Sequence, residues 1–189
     1  CKPLSEIVYE GRLQADKQTT KQSINLSAPK LVTQSTGILS IPVRHQYNMQ
    51  SSVEEVLQVQ KIVDELKAGS FTNNKGHTNA ITDDDILIVT PYNMQVNLLK
   101  EKLTGNMKIG TIDKFQGQEA PVVIISMAVS DVAESRRGLD FIFDINRLNV
   151  AVSRAQALAI IVSNEGLQQC QVSNLRQMEK VGFYLKLIK

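Results

Sequence analysis

The sequence predicts an α/β domain, a doubly wound and mainly parallel sheet with helices on both faces. Three observations carry this. From Gly37 onward, short apolar runs alternate with helical patterns, as in successive βα units. Runs such as "DILIVT" and "PVVIIS" are apolar at nearly every position, which suits strands covered on both faces. With 189 residues, 42% of them hydrophobic, the chain is long enough to bury a substantial core in one domain.

Residues 1–36 read as a polar, weakly patterned leading segment of a single domain spanning 1–189. "GILSIPVR" is then the first strand of the sheet, and "SSVEEVLQVQKIVDELKAG" the clearest helix. Ser52 is placed to cap that helix, Glu55 to complete a capping box, and Gly69 to end it. Val53, Val56, Leu57, Ile62, Val63 and Leu66 are its expected buried stripe. "SFTNNKGHTNAITD" reads as a polar loop before the central strand "DILIVT". In "TPYNMQVNLLKEKL", Thr90 is the expected N-cap and Pro91 the first helical residue. Tyr92, Val96, Leu99 and Leu103 recur at helical spacing and should face the sheet. "MKIGTI" and "PVVIISMAV" are two further strands, joined by "DKFQGQEA". The loop "SDVAESRRGLDFIFD" leads into the helix "NRLNVAVSRAQ", the strand "ALAIIVS" and a last helix, "NLRQMEKVGFYLKLI".

Composition narrows the function. No run approaches the roughly 18 apolar residues of a membrane span, and the start does not read as a secretory signal. Cys1 and Cys170 alone provide neither a disulfide framework nor metal-ligand spacing. The expectation is an intracellular, cytoplasmic protein, with the nucleus left open in a eukaryote, and no membrane partner. A net charge of +2 does not by itself imply nucleic acid, and it leaves room for a local basic groove. A first residue Cys1 suggests a trimmed chain or a piece of something longer.

Ligands of open parallel sheets bind beyond the carboxyl ends of the strands, which directs attention to "VTPYNMQ", "IGTIDKFQGQEA", "RRGLDFIFDINR" and the helix that follows. In "DKFQGQE", Gly117 permits a turn or a close backbone approach, while Gln116, Gln118 and Glu119 supply donors and acceptors. Taken alone, this stretch is also compatible with a solvated connection. On "NRLNVAVSRAQ", Ile145, Leu148, Val152 and Ala155 form an expected buried stripe. Arg147 and Arg154 share nearly one side of that helix, about 10 Å apart along its axis. Spacing leaves two readings open: surface arginines worth at most about 1 kcal/mol each, or guanidinium groups aimed at phosphate. No phosphate-binding G-x-x-x-x-G-K-[ST] loop, G-x-G-x-x-G fingerprint or G-x-S-x-G elbow occurs. His45 and His77 lack cysteine partners, and Asp83 to Asp85 read as a solvated approach to a strand, so no metal site is expected.

Three ordered segments resemble the second, C-terminal RecA-like domain of superfamily 1 helicases. "IVTPYNMQ" is similar to motif IV, "GTIDKFQGQEAPVVIIS" to motif V and "NRLNVAVSRAQ" to motif VI. The branch is the 5′-to-3′ group that includes RNA-surveillance helicases and nuclease-linked replication helicases, and "YEGRLQ" is also similar to it. The likeness spans roughly the whole chain and is strongest from Asp85 to Ser163.

The resemblance implies a RecA-like fold and an ATP-dependent DNA or RNA helicase as the parent protein. ATP and magnesium would be held mainly by a first RecA-like domain, which supplies the phosphate-binding loop absent here. It implies that Arg154 is an arginine finger for the γ-phosphate and that Arg147 either contacts phosphate or organises the cleft. Gln116, Gly117 and Glu119 would line the ATP cleft. Thr90, Pro91, Tyr92 and Thr111 would lie near the backbone of a single strand. Gln156 stands where many relatives carry arginine. The isolated chain is expected to be inactive. Two alternatives stand beside this reading: a non-enzymatic nucleic-acid-binding or protein-interaction module of the same fold, and an unrelated α/β enzyme with a small-molecule site.

Overall fold

The computed structural model describes residues 21–115, 117–132 and 137–189. Its centre is a five-stranded sheet, parallel throughout, of strands β2 (Gly37–Val43), β5 (Ile86–Thr90), β6 (Lys108–Thr111), β7 (Ala120–Ser126) and β8 (Ala155–Asn164). Their spatial order is β2-β8-β7-β5-β6. The five predicted strands are these five.

Helices cover both faces. Ile86, Ile88, Val122, Ile124, Leu158 and Ile160 pack toward α1 (Val53–Lys67) and α2 (Asn93–Lys102). Leu87, Val89, Val123, Ile125, Ala159 and Ile161 pack toward α3 (Gly138–Ile142), α4 (Ile145–Ser153) and α5 (Leu175–Leu187). Alternate side chains of one strand therefore enter opposite cores, which explains why the strand sequences are apolar throughout. Each such buried Val, Leu or Ile side chain contributes about 1.5–3 kcal/mol.

Several local expectations are corrected. "SFTNNKGHTNAITD" is not simply a loop: it forms β3 (Ser70–Thr72) and β4 (Thr78–Ala80), a hairpin that pairs with β1 (Ser23–Asn25) in a small antiparallel sheet. The Asn73 side chain gathers the Lys75 and His77 amides in the turn, and Gly76 supplies its positive φ of 84°. In α1, Val59 joins the buried seam, whereas Val53 and Leu57 are exposed. The first turn of that helix turns Glu55 inward instead of an apolar residue. Thr90 does not cap α2, because it is still in the ladder opposite Thr111; Pro91 lies outside the helix, whose N-cap is Tyr92. The helix "NRLNVAVSRAQ" stops at Ser153, and Ala155 opens β8 rather than completing a buried stripe.

Asp83–Asp85 form a short 3-10 turn closed by a capping box between Thr82 and Asp85. Asp83 pairs with Lys67 and accepts from the Asn106 amide at 2.7 Å. The Lys67 hydrogen bond, helped by that amide, holds the Asp83 carboxyl below its usual range. Among the described residues no helix is long and apolar enough to cross a membrane, and no three side chains are grouped to hold a metal.

Candidate functional site

The candidate residues separate to opposite ends of the sheet. Gly117, Glu119 and Arg154 lie where β7 and β8 begin, at their amino ends. Thr90, Pro91, Tyr92 and Thr111 lie where β5 and β6 finish. The carboxyl-end rule thus locates only the second group. Gln116 lies outside the described residues.

At the amino end, α4 is capped by Asp144, whose side chain accepts from the Arg147 amide at 2.9 Å. Leu148, Ala151 and Val152 bury the helix against the sheet. Arg154 is its C-cap: the Arg154 amide bonds back to the Ala151 and Val152 carbonyls, and its own carbonyl accepts from the Ala120 amide at 3.0 Å. The backbone is therefore fixed from the helix side and the strand side at once. The guanidinium Nε donates to the Val150 carbonyl at 3.3 Å. Among the described residues no carboxylate pairs with it. Because Ala120 is in register with Ala155, exposed Glu119 lies beside Arg154 in sequence register. Gly117 adopts φ 84° in the turn where the Gln118 amide bonds the Phe115 carbonyl. A left-handed backbone there favours glycine.

Arg147 is occupied differently. Its Nη2 lies 3.2 Å from Asp113, and its guanidinium carbon lies 4.5 Å from the centroid of the Phe141 ring. Arg137 approaches the same ring at 4.5 Å, and Tyr92 packs on Phe141 with centroids 5.5 Å apart. Arg147 thus ties the turn after β6 to α3 and α4.

The carboxyl-end candidates are unequal. Thr90 is fully buried and Tyr92 nearly so, with the ring in the core contact just described; Pro91 and Thr111 are partly exposed. Neither the Thr90 nor the Tyr92 side chain is open to solvent in this packing.

A family model described as an AAA domain matches residues 1–166. The chain belongs to that family. It is the second, C-terminal RecA-like domain of the superfamily 1 helicases, 5′-to-3′ branch. Similar proteins include the "Probable RNA helicase armi" of Drosophila melanogaster, 41% identical in an alignment of 95 residues that covers 46% of this chain and 8% of that protein. The "Putative helicase mov-10-B.1" of Danio rerio is 34% identical over 57% of this chain and 12% of its own length. The "DNA polymerase alpha-associated DNA helicase A" of Saccharomyces cerevisiae is 34% identical over 48% of this chain and 14% of its own. The matched stretches therefore span a small part of each relative.

Sequence reasoning missed a buried polar network in this helicase domain. Glu55 is completely buried at the carboxyl edge. One carboxylate oxygen accepts from His45 Nε2 at 3.0 Å; the other accepts from Ser126 Oγ at 2.6 Å and the Ala128 amide at 2.9 Å. Ser126 Oγ accepts in turn from Gln95 Nε2 at 2.9 Å, and Gln95 Oε1 accepts from the Ser52 amide at 2.8 Å. His45 Nδ1 meets Ser130 Oγ at 2.8 Å, and that oxygen also accepts from the Asn48 amide at 2.9 Å. One assignment satisfies every group: Ser130 donates to Nδ1 and Nε2–H donates to Glu55. Only half of the expected capping box forms, since Ser52 Oγ caps the Glu55 amide at 3.1 Å while the Glu55 side chain turns away. A signal was available. Glu55 falls in helical phase with Val59, Ile62 and Leu66, and Gln95 in phase with Leu99.

Proposed function

We propose that this chain is the arginine-supplying motor half of an ATP-dependent nucleic-acid helicase. One observation carries the reading: Arg154 holds a cation without a carboxylate partner among the described residues, on a backbone fixed by a helix end and a strand start. Most surface arginines lose little by pairing locally; one left unpaired on a rigid mount suits an anion brought from outside. Membership in a helicase family and the names of its relatives support the same reading.

The described residues fit ATP with magnesium as contributors, not as the main holders. They offer a guanidinium that no described carboxylate pairs with, and Glu119 next to it in strand register, while the sequence contains no phosphate-binding loop. ATP held on the other RecA-like domain supplies phosphoryl transfer when bound. Arg154 then stabilises negative charge developing at the γ-phosphate, and Glu119 and Gly117 face the nucleotide or the opposing domain. Gln116 shares that cleft. Arg147, paired with Asp113 and stacked on Phe141, orders the cleft wall instead of touching phosphate. At the opposite end, the Thr111 hydroxyl and the backbone around Pro91 grip single-stranded DNA or RNA, contacts that position a strand without reading its sequence. Thr90 and Tyr92 shape that segment from within the core.

Arg154→Ala in the full-length protein tests the assignment. Strand-stimulated ATP turnover should fall by about 10³-fold or more, with nucleotide affinity changed far less. Normal turnover would overturn it. The 189-residue chain alone should show no appreciable ATP turnover.

A further inference from the structure

The carboxyl ends of four of the five strands meet in the one buried network around Glu55. His45 follows β2, Ser126 ends β7 and Gln95 lies on the first turn of the helix after β5. Asn164, the last residue of β8, donates through Nδ2 to the His45 carbonyl. The chain bends sharply to reach this centre: Ala128, whose amide serves Glu55, has φ 62°, a left-handed conformation unusual for a residue with a side chain.

Gln95 bears a particular load within the network. The N-cap of α2, Tyr92, makes no side-chain capping bond, so no local cap fixes the first turn of that helix. All three bonds of the Gln95 side chain leave α2 instead, to the Ser52 amide, to the Ser52 carbonyl at 3.3 Å and to Ser126 Oγ. The segment immediately before that turn is Thr90–Pro91–Tyr92, where the helicase reading puts part of the strand grip. An unsecured first turn would let that segment fray, whereas a saturated polar network holds one arrangement.

We propose that Gln95 and Glu55 are positioning residues that lock the strand-gripping segment 90–93 to the exits of β2, β7 and β8. Neither side chain needs to touch the strand, since both are completely buried. The inference rests on the helicase reading. A strand bound at Pro91 and Thr111 then meets a preorganised surface, and removing the lock weakens strand binding because ordering must accompany it.

The test titrates ATP turnover of the full-length protein with single-stranded thymidine and uridine homopolymers, and follows backbone amide exchange in residues 90–96. Q95A should raise the half-maximal strand concentration about tenfold, change maximal turnover less than about threefold, and speed exchange in 90–96. E55Q keeps one oxygen to accept from Ser126 and Ala128 but sets an NH2 against the His45 Nε2–H, so it should shift both readouts in the same direction as Q95A, by less. If Q95A does not fold, S126A breaks the same chain of bonds by deleting a single oxygen and should show the same pattern. A folded variant with wild-type strand dependence, or with unchanged exchange in 90–96, overturns the proposal. Should neither homopolymer stimulate the wild type, the helicase reading itself falls, a result distinct from a variant that matches a stimulated wild type.

Discussion

The two ends of the sheet treat carboxylates in opposite ways. At the carboxyl end, Glu55 is buried and accepts from an imidazole, a hydroxyl and a backbone amide. At the amino end, Glu119 is exposed beside Arg154, whose guanidinium makes one long bond to its own helix. One end has spent its polar groups on the fold, and the other has kept them available. Polar chemistry at a parallel sheet therefore cannot be ranked by position alone; what matters is how much of it is already satisfied.

Breaking each end should have a different signature. The largest effect expected is on turnover, the loss of about 10³-fold or more from Arg154→Ala, read with the full-length protein while thermal stability stays close to wild type. Next comes stability itself, through one chemical change made at both ends. Glu55→Ala strands its donors in the core and should cost about 3–5 kcal/mol in denaturant unfolding. Glu119→Ala should stay within about 0.5 kcal/mol. Equal losses would erase the contrast. Between the ends, Arg147→Ala removes a partly exposed ion pair and a ring contact, and should cost about 1 kcal/mol.

A small effect, well below that at Glu55, concerns Asp83, outside both ends. Its carboxyl is held below the usual range when folded, so its contribution is complete above the unfolded value and is lost as pH falls through the folded one. Asp83→Asn should lower the melting temperature by about 2 °C at neutral pH, with the gap closing in acid below about pH 4. A gap that widens there would contradict the sign.

Much of this was legible in the sequence. Two-sided burial wrote itself into β5, β7 and β8 as unbroken apolar runs, and the five strands followed. The hairpin of β3 and β4 was hidden because its residues are polar and β4 is exposed on every side chain; pairing with β1, distant in sequence, is what stabilises it. The end of α4 was obscured by Ala155, equally at home in a helix stripe or at the start of a strand, and the ladder with Ala120 decided the matter. Arg147 and Arg154 looked equivalent by spacing. Only tertiary contacts separated them, because Asp113 and Phe141 reach one and not the other. Motif spacing gave no hint that Thr90 would be a core residue, since burial depends on what packs above it, whereas Tyr92 is buried as its place in the helical stripe implied.

The Ala120 amide bond to the Arg154 carbonyl carries one last consequence. It makes the mount of Arg154 a rung of the sheet, not part of a loop. The guanidinium can sweep only the arc its own side chain allows, a few ångströms, and any longer excursion has to be travelled by all five strands together. Any displacement of this arginine beyond that arc is thus a translation or rotation of the entire body.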